Sequence, residues 1–296
     1  MTDGGTADAG PDFAKLKGDP KMPAGLSCLS KYYSGHPVSV DGGWYFQLSS
    51  GARLPWHTPG KHGHDGGVRD GGARHDGGVH DAGFRDAGVD GGFDPDGGDD
   101  DEEDDSLPVE PDLQDLFSVP YVKGPIVPVV GDEETIDEPG RARVEDLLMD
   151  TYGHSANEVR DHLEHVRFFG TRWGFHERAA PALLRVIDRL TPQTKAHPAL
   201  LKFVTEIGGT FKWRKIARST NLSTHAWGIA IDLNVARGYY WRWQRPKHPL
   251  KWRNVVPQEI VDAFEAEGFI WGGRWLHYDT MHFEYRPELL DPACRE

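Results

Sequence analysis

One stretch limits this chain more than any other. Residues 61–111 are built from Asp, Gly and His, and such a stretch can supply neither a core nor a regular sheet. It holds 16 Asp or Glu against 4 Lys or Arg, a net of −12. The whole chain of 296 residues carries −14, so everything outside the stretch is close to neutral, at −2. An Asp-Gly-Gly or Asp-Ala-Gly unit recurs every five or six residues. Glycine loses the most backbone entropy on ordering, and the few apolar side chains cannot offset that. Residues 57–111 are therefore expected to be a disordered low-complexity insert. Calcium binding by an Asp/Gly repeat is the sharper reading. However, the period and the missing large apolar position do not match calcium-binding β-helix repeats. His57, His62, His64, His75 and His80 are expected to bind stray metal weakly at most.

Several classes of function fall away. An acidic chain argues against a nucleic-acid partner, which favours a basic stripe. No apolar run is long enough to span a membrane. The first residues, MTDGGTADAGPDFAKLKGDPKM, contain no apolar signal-peptide core. Two cysteines, Cys28 and Cys294, cannot make a disulfide scaffold or a Cys-rich zinc module. They form one clasp between the ends of the chain or remain two buried thiols; composition does not choose between these.

The expected organisation is a disordered segment 1–24, a hairpin unit 25–56 packed on the main body, the insert 57–111, and a domain over 112–296. The sequence 42–56 has a hairpin pattern with a Ser49-Ser50-Gly51 turn. Helices are expected at 141–153, with Leu147 and Leu148 on one stripe, and from a capping box at Ser155–Glu158 through Leu163 and Val166. Two more are expected at 177–192, with Leu183, Leu184, Ile187 and Leu190 inward, and from Pro257 to Gly268. Glycines, aromatics and β-branched residues then crowd 208–235 and 269–290, as short strands do. Helices first and strands later is an α+β pattern.

The chemistry concentrates in two strings. Ser223-Thr-His225-Ala-Trp-Gly228-Ile-Ala230-Ile-Asp232 sets a carboxylate inside a run that reads as a buried strand. A carboxylate there is costly unless paired or bound to metal. Asp279-Thr-Met-His282-Phe-Glu284-Tyr285 adds a second imidazole. Two imidazoles and one carboxylate, His225, Asp232 and His282, make a suitable catalytic zinc set whose fourth position holds water. Asp279 is left over as an acid/base group that can take a proton from that water and pass it to a leaving amine. Any one of these residues alone reads as an ordinary buried or turn residue; the two strings together outweigh that.

SxHxxGxAxD followed by DxxHFE resembles the zinc D-Ala-D-Ala carboxypeptidase family, which includes the VanY-type enzymes and the phage L-alanyl-D-glutamate endopeptidases. GGTFKWR, LSTHAWGIAIDLN and GFIWGGRWLHYDTMHFEYRPELL carry the resemblance over roughly residues 205–290. It implies a small antiparallel sheet of Hedgehog/DD-peptidase type, flanked by helices and carrying one Zn2+ per chain. His225, Asp232 and His282 would be its ligands and Asp279 the general base. Many relatives have glutamate there; Asp is closer to the endopeptidase branch. The resemblance also implies an arginine upstream that polarises the scissile carbonyl or holds a substrate carboxylate. Arg214 matches that position and Arg218 is its rival. Ser223 matches a serine that hydrogen-bonds near the site, although a Ser before a strand is often only a turn residue.

Other residues are read from their setting. His277, two residues before Asp279, lines the cleft or merely caps the strand. Tyr239–Trp243 is an aromatic run with an arginine. Tyr240 and Trp241 are either a platform for substrate or packing residues. His162 and His165, at helical spacing, are better explained as a polar face than as metal ligands. No GxSxG elbow supports a serine hydrolase. The expected function is a zinc peptidase acting on peptidoglycan stem peptides outside the cytoplasm, as a monomer. The alternative is a zinc-containing wall-binding module of the same fold without turnover.

Overall fold

The computed structural model describes residues 22–57, 111–131, 138–216, 221–244 and 250–295. The Asp/Gly-rich insert, the N-terminal segment before residue 22 and Arg218 lie outside the described residues, apart from His57 and Pro111 at the insert's edges.

Among the described residues, helices and short strands build a mixed fold with three small antiparallel sheets, consistent with the α+β expectation. Helix α1 (Ala24–Tyr32) leads into strands β1 (His36–Val40), β2 (Gly43–Gln47) and β3 (Arg53–Pro55), which form a meander. This unit packs on the main body. Trp56 stacks on Phe117 of α2 (Asp115–Ser118) at 6.0 Å between ring centroids. Helix α3 (Glu145–Tyr152) holds the hairpin loop through Asp150, whose carboxylate accepts from the backbone N–H of Ser49 at 2.9 Å and of Ser50 at 3.0 Å. Cys28 and Cys294 are disulfide-bonded with Cα atoms 5.2 Å apart, tying α1 to the last turn of the chain.

The next segment departs from expectation. Helix α4 (Ala156–Asp161) starts at the Ser155 cap, where the Ser155 hydroxyl accepts from Glu158 N–H at 3.2 Å. It does not continue through Leu163 and Val166. Strands β4 (Leu163–Phe168) and β5 (Thr171–His176) form a hairpin instead, turning at Phe169-Gly170 with φ of 39° and 107°. Positive φ at both central residues is the tight-hairpin turn. Val166 and Phe168, two apart, are both buried, which is a strand period and not a helical one. His162 therefore caps a helix and His165 lies on a strand; they share no helix face.

Helix α5 (Ala180–Ala196) runs past Pro192, and its buried stripe is Leu183, Val186 and Leu190. Leu184, expected inward, is 47% exposed because it falls one residue off that stripe. After α6 (Leu201–Val204) comes the third sheet, with β6 (Ala230–Asp232), β7 (Phe269–Trp271) and β8 (His282–Tyr285) in the order β6-β8-β7. Helix α7 (Gln258–Glu265) turns Ile260, Val261 and Phe264 inward, all buried. Phe264 stacks on Phe283 of β8 at 4.2 Å. One face of this sheet is thus core. Helix α8 (Pro287–Leu290) then brings the chain to Cys294.

Candidate active site

The register of the third sheet builds half of the site. Asp232 closes β6 and His282 opens β8, and the two are directly paired. Directly opposed residues of an antiparallel pair point to the same face. Ile231 and Phe283, one step along, are buried on the other face. The other imidazole comes from a 3-10 turn, Thr224–Trp227. The Ser223 hydroxyl caps that turn by accepting from His225 N–H at 3.4 Å. Gly228 ends it at φ 63°, where a Cβ would come within 2.7 Å of the Leu163 side chain. The Gly228 carbonyl accepts from His176 N–H at 2.8 Å, so the β4–β5 hairpin supports the turn.

Three potential ligand atoms converge. His282 Nδ1 lies 3.0 Å from Asp232 Oδ1, His225 Nε2 lies 3.2 Å from the same oxygen, and the two nitrogens are 3.2 Å apart. A tetrahedral zinc with bonds of about 2.0–2.1 Å holds its ligands about 3.3 Å apart. The donor set and the spacing both fit, and the group can hold a metal ion. The outer partners settle which nitrogen faces inward. His225 Nδ1–H donates to the Thr210 carbonyl at 2.7 Å, leaving Nε2 as the lone pair. His282 Nε2–H donates to Glu284 at 3.1 Å, leaving Nδ1.

The electrostatics come from burial and these neighbours. Burial opposes ionisation of Asp232, but the imidazoles of His225 and His282 overcome it and hold the carboxyl far below its usual range. Burial likewise opposes a charge on His282, yet Asp232 and Glu284 raise it to about 10, so without a metal Nδ1 also carries a proton, which a bound metal would displace. Glu284, wholly buried, stays ionised because Arg143 at 2.7 Å, His282 and Arg286 outweigh its desolvation.

Asp279 sits at the start of a tight turn whose carbonyl accepts from His282 N–H at 3.2 Å. That turn is the structural meaning of the three-residue spacing. Asp279 Oδ1 is enclosed and has no hydrogen-bond partner. Burial, and next the charge of Asp232, push its pKa up to about 7, against the pull of His282 and Arg214. Such a carboxyl is suited to moving protons near neutrality. Arg214 is half-buried within electrostatic reach of Asp279, and its carbonyl accepts from Ser223 N–H at 3.0 Å.

The remaining residues divide. The Ser223 hydroxyl is buried and serves the turn beneath His225. His277 is buried; its N–H donates to Glu138 at 2.6 Å and its ring packs edge-on against Trp241 at 4.5 Å. Trp241 is 3% exposed, so its ring is a packing element and not an open platform. Tyr240 pairs with Asp279 through a backbone bridge and stands at right angles to Trp243, at 6.0 Å. Trp243 is the exposed ring of that run, at 44%.

Sequence reasoning passed over Thr210, Arg143 and Arg286, and it noted Glu284 only as a neighbour. Strand alternation places Glu284, two residues after His282, on the ligand face. No local pattern points to Arg143 or Thr210.

Fold and site together define a small α+β scaffold that presents a His–Asp–His group able to hold a metal ion beside a carboxyl. Residues 217–285 match the family model described as D-alanyl-D-alanine carboxypeptidase. The match bears out the resemblance to the zinc D-Ala-D-Ala carboxypeptidase and VanY-type family, and it supports a peptidase. It contains His225, Asp232, Asp279 and His282 and begins after Arg214. No curated protein and no solved structure matches the chain.

Proposed function

We propose that this chain is a zinc-dependent peptidase that hydrolyses peptidoglycan stem peptides, either at a terminal D-Ala-D-Ala bond or at an internal L-Ala-D-Glu-type bond. The observation that carries this reading is the convergence of His225 Nε2, Asp232 Oδ1 and His282 Nδ1 beside the partnerless Asp279 Oδ1. His225, Asp232 and His282 would hold zinc, which supplies Lewis acidity toward a carbonyl and acidifies water. Asp279 takes the proton from the attacking water and delivers it to the leaving amine. Its enclosed oxygen, left without a hydrogen-bond partner, is free to take and return the proton. Arg214 counters the negative charge that develops on the scissile carbonyl oxygen, or holds a terminal carboxylate. Tyr240 and Trp243 border the Asp279 segment and offer rings to the substrate flank.

A location outside the cytoplasm agrees with the Cys28–Cys294 disulfide, since such bonds persist in oxidising compartments. The test is mass spectrometry of muropeptides incubated with the purified protein, with and without a chelator. Loss of one terminal residue identifies a carboxypeptidase, and release of a longer peptide an endopeptidase. Unchanged muropeptides in the presence of zinc reject the reading.

A further inference from the structure

We propose that Glu284 is a positioning residue that dictates which nitrogen of His282 faces the metal, with Arg143 holding the Glu284 carboxylate in place. The inference rests on the metal centre proposed above and concerns how that centre is held.

The two histidines present opposite nitrogens, His225 through Nε2 and His282 through Nδ1. A neutral imidazole carries one N–H and one lone pair, so the choice must be imposed from outside the ring. For His225 a backbone carbonyl imposes it. For His282 the neighbours of Nε2 are Thr224 Oγ1 at 3.5 Å and Glu284 Oε2 at 3.1 Å. The Thr224 hydroxyl donates its one proton to Glu284 Oε2, so toward Nε2 it too can only accept. Glu284 Oε2, which also takes donors from Arg143 and Thr224, is an acceptor, so it calls for the proton on Nε2 and leaves the Nδ1 lone pair toward Asp232 and His225.

The contacts around Glu284 fix that oxygen in place. Glu284 is 0% exposed, and its Oε2 takes donors from Arg143 at 2.7 Å and Thr224 at 2.9 Å besides His282. Arg286 also approaches Oε1, at 3.4 Å, but it lies much closer to Glu288, at 2.6 Å. Two buried carboxylates thus face two buried guanidiniums, with Arg143 matched to Glu284 and Arg286 to Glu288. The quartet is balanced without the metal ligands.

The experiment measures zinc on the full-length protein and needs no peptidase assay. Glu284→Gln should lower zinc affinity, read by chelator competition, by about 10–100-fold. It should also shrink the rise in melting temperature that zinc produces more than it lowers the melting temperature of the zinc-free protein. Equal losses with and without zinc, at unchanged affinity, would mean a purely structural role and overturn the proposal. Nitrogen-15 spectroscopy of the zinc-bound wild type is independent of whether the variant folds. It should show His282 protonated at Nε2 and bound to zinc through Nδ1; the reverse assignment overturns the proposal. A wild type that binds zinc in this way but cleaves no muropeptide would reject the proposed function while supporting the role of Glu284.

Discussion

Asp279 is the residue on which turnover and pH response converge. Substituting Asn keeps the shape of the side chain and removes the proton acceptor. Asp279→Asn should retain zinc and fold while muropeptide hydrolysis falls by ~10²–10⁴, the usual cost of losing a general acid/base. Unchanged turnover in a zinc-loaded Asn variant would clear Asp279 of the role. The same substitution has a stability signature in the zinc-free protein. The Asp279 pKa is raised from 3.8 to about 7, first by burial and then by Asp232. Folding therefore favours the protonated form. Stability from this group is fully present below the unfolded value and is lost as pH rises through about 7. Asn does not titrate. Zinc-free Asp279→Asn should gain on the wild type between about pH 4 and about pH 7 in denaturant melts, and the two curves should run parallel outside that window. A constant offset across it would contradict the raised pKa.

At the scale of elements, the site is an assembly of one strand pair and two turns. Asp232 and His282 meet because β6 and β8 pair in a register that sets them opposite each other, and a slip of one residue would send both to the core face. His225 depends on a turn that only a left-handed residue can close. Gly228→Ala places a Cβ at φ 63° and against Leu163. It should destabilise the fold by roughly 1–2 kcal/mol from the backbone conformation alone. It should also weaken zinc binding, because the turn carries a ligand. A Gly228→Ala protein with wild-type melting and wild-type zinc affinity would show that this turn tolerates a side chain. The β4–β5 hairpin behind it reads as helix from the Val159–Leu163–Val166 spacing. Those three positions suit a helical stripe, but the Phe169-Gly170 turn and the alternating burial of Val166 and Phe168 show the pairing that overrides it. Tertiary pairing routinely overrides local periodicity in so short a segment.

Across the whole molecule, one covalent link spans most of the chain. The Cys28–Cys294 disulfide joins residues 266 apart in sequence. Cross-links that close long loops stabilise mainly by restricting the unfolded chain, typically by about 2–5 kcal/mol in total. Cys28→Ser should lower the denaturation midpoint accordingly, and a reductant should bring the wild type down to the variant. A midpoint insensitive to both would show that the link carries no stability. The described residues on either side of the Asp/Gly-rich insert lie together. Gln114 N–H donates to the Trp56 carbonyl at 2.9 Å, so the flanks already meet. Deleting 61–108 should leave melting temperature and zinc affinity unchanged. Loss of cooperative unfolding would make the insert part of the folded body.

What the sequence determined by itself is what lies close along the chain. The Ser223-to-Gly228 turn, the alternation that lodges Asp232 in β6 and the Asp279-to-His282 turn are each closed within a few residues by capping, left-handed glycine or a tight hydrogen bond. Such local chemistry leaves a readable pattern of residue types. Only the tertiary structure decided that Trp241 is buried while Trp243 is open, that Cys28 finds Cys294, and that Arg143 reaches Glu284 across 141 positions. Those outcomes depend on which surfaces pack together. A buried charge needs an opposite charge wherever the fold can bring one, and nothing in the neighbouring residues records where that is.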